Sequence, residues 1–266
     1  MLTTVFNFLN QHYDKSCPIL LALSGGPDSL ALLDVLLELK ESLELKLGIA
    51  HIDHRWRESS TFEALHLQDL SAKLGIPFHL KTLDPNTLSG NLEAVCREER
   101  LHFFRDLAAQ HGYQAVLMGH HADDQAETVL KKIFEASSLP YLAGLRPETN
   151  IEGLRIWRPL LAIRKKEILK RVEQRSLTPF EDYTNTDPTF LRGKFRTKII
   201  PSLSQEFGKE ISPSLIRIAS EAQELEQYLD KRVENYLKKI IPGPFGYLLD
   251  LQESFPSPCF CISRDG

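Results

Sequence analysis

Cysteine is scarce in this chain: four among 266 residues, at Cys17, Cys96, Cys259 and Cys261. Thiols so few and so scattered make no disulfide framework, and a reducing compartment, the cytoplasm, is the expected home. No apolar run reaches the ~18 residues that a membrane span needs. The opening MLTTVFNFLNQHYDK lacks the basic region, apolar core and small-residue cleavage site of a secretory leader. An excess of one charge is missing too. The 32 Lys+Arg stand against 36 Asp+Glu, a net charge of −4, which excludes a uniformly basic nucleic-acid binder but not a local basic patch. With 42% hydrophobic and 26% charged residues the composition is globular, not disordered or low-complexity, and no internal repeat is present.

What is present is an alternation of apolar strands and helix-period stretches. Strands are expected at 19–23, 45–52, 77–83 and 115–118, and helices at 29–40, 60–74, 91–111 and 122–136. Strand and helix alternating at this spacing mean βαβ units: an α/β fold, a parallel sheet with helices on both faces. Ligands of such sheets bind beyond the carboxyl ends of the strands. After Leu139 the chain is punctuated by Pro140, Gly144, Pro147, Gly153 and Pro159. A short basic helix is expected at 164–175, and a long amphipathic helix from Ser212 to about residue 240, followed by an irregular tail. The expected division is a catalytic domain over 1–200 and a helical linker and tail over 201–266.

Between strand 1 and helix 1 lies Ser24-Gly25-Gly26-Pro27-Asp28-Ser29. Two glycines let backbone amides turn inward, two serines add hydroxyls, and the following helix N-terminus adds partial positive charge, together a cradle for a phosphate chain. Neither the Walker A pattern nor the Rossmann Gly spacing is met, and no lysine lies in the loop. A plain capped turn is the competing reading, but five such fixed positions arise by chance with a probability on the order of 10⁻⁴ at average residue usage.

Two other strand ends carry chemistry: His51-Ile52-Asp53-His54-Arg55-Trp56-Arg57 after strand 2, and Gly119-His120-His121-Ala122-Asp123-Asp124-Gln125-Ala126-Glu127-Thr128 after strand 4. Two His/Asp clusters at neighbouring strand ends fit a divalent metal, as in a metal-dependent phosphoesterase, and fit an ATP-plus-nucleophile site equally well. Asp124 and Glu127, three apart on a helix, can point into one pocket and act on a proton. Asp123 reads as a helix N-terminal charge favoured by the dipole. Arg97 and Arg100 share a helix face, with pairing of Arg97 to Glu93 as the bland alternative. Residues 155–175 hold eight bases against two acids, and 190–201 four bases and no acid. Phosphate contact is the functional reading of both segments, and a solvated face the ordinary one.

The SGGPDS loop resembles that of the PP-loop ATP pyrophosphatases, which cleave ATP between its α- and β-phosphates. The two strand-end segments are similar to those of one branch, tRNA(Ile)-lysidine synthetase. So are Asn91-Leu-Glu93-Ala-Val-Cys96-Arg97-Glu-Glu-Arg100, Arg158-Pro159-Leu-Leu, and Thr184-Asn185-Thr-Asp187 with Phe190-Leu-Arg192-Gly193-Lys-Phe-Arg196. These motifs follow the family's order from residue 24 to 196. Departures are Arg55-Trp56 in place of Gly-Leu, Ser138 and Tyr141 in place of glycines, Phe190 in place of Tyr, and Gly193 in place of Asn. The family's usual C-terminal domains do not fit after residue 240, so a short form or a piece of a longer protein is expected.

The resemblance implies an adenine nucleotide α-hydrolase-like fold and a ligase that joins free L-lysine to C2 of the wobble cytidine in the CAU anticodon of tRNA(Ile). The cytidine is first adenylated by ATP. In that scheme Ser24, Gly25, Gly26, Pro27, Asp28 and Ser29 hold ATP, and Asp28 and Asp53 are ligands for Mg²⁺. Arg97 and Arg100 steady the α-phosphate or adenylate. Asp124 and Glu127 grip lysine, with Asp53, Asp124 or Glu127 as base. Arg192, Lys194 and Arg196 contact tRNA. A tRNA cytidine thiolase of the same superfamily is the near rival, disfavoured because the only close cysteine pair is Cys259-Phe-Cys261. A non-catalytic ATP sensor would need neither the acidic pair nor the basic segments.

Overall fold

The structure, a computed structural model, describes residues 1–56, 59–84, 92–180, 191–238, 240–243 and 246–248. Arg57, Asn91, residues 184–187, Phe190, Cys259 and Cys261 lie outside the described residues, as do the side chains of Glu93 and Arg192. A six-stranded sheet runs in the order β3-β2-β1-β4-β6-β5, formed by β1 (Ile19–Ala22), β2 (Leu47–Asp53), β3 (Phe78–Thr82), β4 (Val116–Leu117), β5 (Glu148–Ile151) and β6 (Leu154–Trp157). Every pairing is parallel except β5 with β6. β1 is central, with Ile19 opposite Leu47 on one side and Leu20 opposite Val116 on the other.

Alternation along β1 sorts its side chains between two cores. Ile19 and Leu21 join Leu32 and Leu36 of α2 (Pro27–Leu39), Val5 and Leu9 of α1 (Leu2–His12), and Ile168 of a later helix. Leu20 faces the other way, onto Phe104 and Leu107 of α4 (Leu92–His111), which follows α3 (Ser60–Lys73). A strand covered on both faces must be apolar at nearly every position, which is why ILLA reads as a continuous run rather than an alternation. A third cluster joins Ala126, Val129 and Leu130 of α5 (Ala122–Phe134) to Leu215 and Ala219 further along the chain.

Three features differ from expectation. The first is α1, whose buried Val5 and Leu9 lie four apart, one helical turn. The second is the β5–β6 hairpin within the Pro/Gly-punctuated stretch, which makes one edge of an otherwise parallel sheet antiparallel. Its turn places Glu152 (φ 49°) and Gly153 (φ 86°) in the left-handed region, with the Gly153 amide donating to Asn150 Oδ1 at 2.8 Å. The third lies in the tail, where β7 (Ile241–Gly243) and β8 (Gly246–Leu248) pair antiparallel.

The basic stretches become α6 (Lys165–Gln174) and a continuous helical segment. That segment comprises α7 (Leu191–Lys194), a π-turn over Phe195–Ile199 and α8 (Ile200–Glu206). α9 (Ser212–Leu237) packs on α5 and on the 3₁₀ turn Leu139–Ala143. Among the described residues no helix is long and apolar enough to cross a membrane.

Gly48 of β2 is tied to this packing. A Cβ there would lie 2.1 Å from Tyr113 Oη, and that hydroxyl is hydrogen-bonded to His79 Nε2 at 2.8 Å. Gly48→Ala is expected to cost about 1–3 kcal/mol by overpacking, read as a lowered urea midpoint. Adding Tyr113→Leu should recover part of the loss.

Candidate active site

The phosphate loop is built by the turn from β1 into α2. Gly25 has φ 82°, Gly26 caps the helix, and Pro27 opens it with a fixed φ and no amide to satisfy. Ser24 and Ser29 hydroxyls lie 3.1 Å apart, Ser29 Oγ donates to the Gly26 carbonyl, and the Gly26 amide points at Ser24 Oγ at 3.4 Å. Gly25 is required on a second ground. A Cβ there would meet the Phe180 ring at 2.4 Å, and the Phe180 amide donates to the Gly25 carbonyl at 3.0 Å. Phe180 thus braces the loop, and nothing in the sequence signalled it.

β4 ends against the head of α2. Any Cβ on Gly119 would touch Asp28 and Ser29 backbone at 3.2 Å. Just beyond, buried His121 sits among three carboxylates: its Nε2 is 3.7 Å from Asp28 and 3.6 Å from Asp124, and its Nδ1 is 3.9 Å from Asp123. Asp124 Oδ2 accepts the His121 amide at 2.9 Å, closing the start of α5. The pair expected on one helix face is brought together: Arg196 donates from Nε to Glu127 Oε1 at 2.7 Å and from Nη2 to Asp124 Oδ1 at 3.0 Å. Burial pushes the Glu127 carboxyl above the ordinary glutamate range, and Arg196 offsets part of that. Arg196 lies in the π-turn, whose wider helical step is a common feature of functional segments.

The basic segments are placed differently from the expected phosphate-contacting surface. Arg164 clasps Asp123 with three hydrogen bonds of 2.8–3.2 Å and also reaches Glu210. Asp123, expected to be only a dipole charge on its own helix, accepts the Lys165 amide at 2.7 Å and so caps α6. Burial opposes its ionisation, but Arg164 and that amide hold the carboxyl below the usual range. Arg171 bonds Asp34 and Glu38, Arg175 bonds Asp34, and Lys165 Nζ lies 2.5 Å from Asp28 Oδ1. Arg158 is buried and donates to the Arg146 carbonyl and to Thr149. Arg155, Lys166 and Lys170 stay exposed. Five of eight cations are therefore engaged within the fold: an acid stands opposite four of them and the sheet edge encloses the fifth. In the second segment Lys194 is exposed, whereas Arg196, half-buried, is paired with carboxylates.

Arg97 is exposed on α4 and close enough to the end of β6 to act on Arg158. Burial, reinforced by the Arg97 charge, pushes the Arg158 guanidinium down to about 10. Arg100 is half-buried on the same helix. Asp53 is 3% exposed, and its Oδ1 accepts the Arg55 amide at 2.9 Å, so it closes the turn after β2. Among the described residues no group of three or more His, Cys, Asp or Glu is placed to hold a metal ion, so the two His/Asp segments do not form a joint metal cluster there. Gln125 also escaped the sequence reading: it is buried and binds the Ala143 and Leu145 carbonyls and the Leu145 amide, fixing the turn before β5.

Comparison with known proteins gives the family and the fold. The model of the PP-loop domain family matches residues 2–203. A tRNA(Ile)-lysidine synthase from Protochlamydia amoebophila is 42% identical over 251 residues, covering 94% of this chain and 55% of that protein. The tRNA(Ile)-lysidine synthase of Chlamydia muridarum is 35% identical over 250 residues, covering 93% and 76%. The chain therefore spans about half the length of the first relative and about three quarters of the second. Among solved structures, a U34-tRNA thiolase from Methanococcus maripaludis superposes with a TM-score of 0.64 at 17% identity, over 84% of this chain and 78% of that one, and shares the fold. A PP-loop at β1, an acidic helix after β4 and this degree of identity place the chain in the tRNA(Ile)-lysidine synthase family of PP-loop proteins.

Proposed function

We propose that the chain joins free L-lysine to C2 of the wobble cytidine in the CAU anticodon of tRNA(Ile), in the cytoplasm, converting ATP to AMP and pyrophosphate. The observation that carries this reading is the meeting, around His121, of the phosphate-loop carboxylate Asp28 with Asp124 of α5, which shares Arg196 with Glu127. That arrangement offers a triphosphate and an amine nucleophile adjoining positions at neighbouring strand ends.

The C2 oxygen of cytidine attacks the α-phosphorus of ATP, and pyrophosphate leaves. The ε-amine of lysine then attacks C2, AMP departs with the original oxygen, and the amine gives up a proton. Ser24, Ser29 and the amides of Gly25 and Gly26 cradle the β- and γ-phosphates. Lys165 supplies the cation that the loop itself lacks, exchanging its bond to Asp28 for one to phosphate. Asp28, 27% exposed at its side chain, would then hold Mg²⁺, which would neutralise phosphate charge. Arg97 and Arg100 meet negative charge at the α-phosphate. Asp124 and Glu127 receive lysine, and the desolvated Glu127 is the better placed to take its proton. Arg196 supports this assignment, because a cation already occupies the position between the two carboxylates. Asp53, whose Oδ1 accepts the Arg55 amide, is the second carboxylate assigned to Mg²⁺. Lys194 and Arg192 are assigned to tRNA phosphate.

The test is pyrophosphate release with a CAU-anticodon tRNA(Ile) transcript, with and without L-lysine, followed by nucleoside mass analysis of position 34. AMP and pyrophosphate in equal amounts, with a lysine adduct on that cytidine, are expected. A sulfur-dependent mass change would point to thiolation, and no pyrophosphate at all would overturn the reading. Lys165→Met should raise the KM for ATP roughly tenfold, the worth of one charge-assisted contact, with a smaller change in kcat. Arg196→Met leaves two carboxylates facing each other, one of them buried. It should lower stability at pH 7 by about 1–3 kcal/mol. Thermal melts should find that penalty shrinking towards pH 5, as the buried Glu127 carboxyl, already raised by burial, takes up a proton.

A further inference from the structure

The turn after β2 carries a feature that neither phosphate binding nor lysine binding uses. Arg55 has φ 50°, a left-handed conformation unusual for a side chain of its size, and the buried Asp53 carboxylate holds it there through the Arg55 amide. This conformation sets its two neighbours side by side. The His54 and Trp56 rings stack with centroids 4.9 Å apart and planes 29° from parallel. Trp56 nonetheless remains 44% exposed, whereas the chain's other tryptophan, Trp157, is 1% exposed in the core. The Arg55 side chain, between them in the chain, is 58% exposed, with its Nε 4.0 Å from Asp53 Oδ2.

The position of this pair matters as much as its composition. β2 lies next to β1 in parallel register, and His51 Nδ1 bonds the Leu23 carbonyl at 2.7 Å, immediately before the phosphate loop. The aromatic pair therefore sits on the same carboxyl edge as the loop, one strand away, a spacing of about 5 Å per strand. An exposed indole already backed by an imidazole, with an exposed arginine next to it in the chain, is what an unpaired nucleobase with an adjoining phosphate would meet favourably.

We propose that Trp56, backed by His54 and flanked by Arg55, is a stacking platform for a nucleobase. The base is either the adenine of ATP or an unpaired base of the anticodon loop. The inference rests on the reading of the chain as an enzyme acting on ATP and tRNA, and it deepens that reading by assigning the turn after β2 to base recognition. Asp53 is then a positioning residue for the platform.

Fluorescence tests it directly, because Trp56→Phe leaves Trp157 as the sole tryptophan. Wild type and Trp56→Phe are titrated with ATP and, separately, with a CAU anticodon stem-loop RNA, while calorimetry measures the binding of each probe. Quenching in wild type that is missing from Trp56→Phe is expected. Quenching by ATP alone identifies adenine as the base, and quenching by RNA alone identifies an anticodon base. Trp56→Ala should weaken the quenching probe roughly tenfold, within the ~1–3 kcal/mol that base stacking contributes. Trp56→Phe should keep most of the affinity. If both probes bind but Trp56 emission and Trp56→Ala affinity do not change, the platform is overturned and the proposed reaction stands. If neither probe binds, the reading of the enzyme fails and the platform with it.

Discussion

The arrangement at the carboxyl edge depends on one close approach, the end of β4 lying against the head of α2. Gly119 favours it, since a Cβ there would press on the Asp28 and Ser29 backbone at 3.2 Å, which would have to give by a few tenths of an ångström. With that contact made, the residues after β4 have little freedom, and His121 is buried among Asp28, Asp123 and Asp124. Both the phosphate loop and the acidic helix are thereby referred to one rigid strand pair. Groups held this way keep a fixed orientation to one another, the condition on which proximity effects depend.

A second constraint is electrostatic. Asp28, Asp34, Asp123, Asp124 and Glu127 crowd one side of the sheet, and α6 with the π-turn supplies Lys165, Arg171, Arg164 and Arg196 against them. Such pairs contribute modestly at the surface, but leaving any of these carboxylates unpaired while partly buried would be costly. The same pairs link segments more than 40 residues apart, so the site and the packing of α6 on α2 share their fastenings. Arg158 stands apart from this scheme. It is buried at the end of β6 beside Arg97 and, among the described residues, is held by a carbonyl and a hydroxyl rather than by an acid.

The central layers were readable residue by residue. Apolar runs marked β1 and β2, Gly75 and Gly112 marked where helices stop, and the loop from Ser24 to Ser29 declared itself through glycines that only a special backbone needs. Asp124 and Glu127 could be placed together from their spacing alone, because an i,i+3 pair shares a helix face whatever surrounds it. The β5–β6 hairpin was harder: its strands are four residues each, too short for period-2 alternation to stand out, and its Glu-Gly turn was hidden among other Pro/Gly punctuation. α1 was passed over because an eleven-residue helix owes its stability to the core it joins through Val5 and Leu9 rather than to propensity.

By itself, then, the sequence determined the α/β order, the phosphate cradle and the acidic pair, all of them local: residues within one turn or one helix face constrain each other through backbone geometry. Only the tertiary structure decided what the cations do. A run of Lys and Arg looks the same in sequence whether it meets water, RNA or carboxylates. Lys165 meets Asp28 across 137 positions, Arg171 meets Asp34 across the same separation, and Arg196 meets Glu127 across 69. Charge pairing acts through space and carries no periodicity along the chain, so these partners, the bracing of Gly25 by Phe180 and the stacking of Trp56 on His54 became visible only once the strands lay side by side.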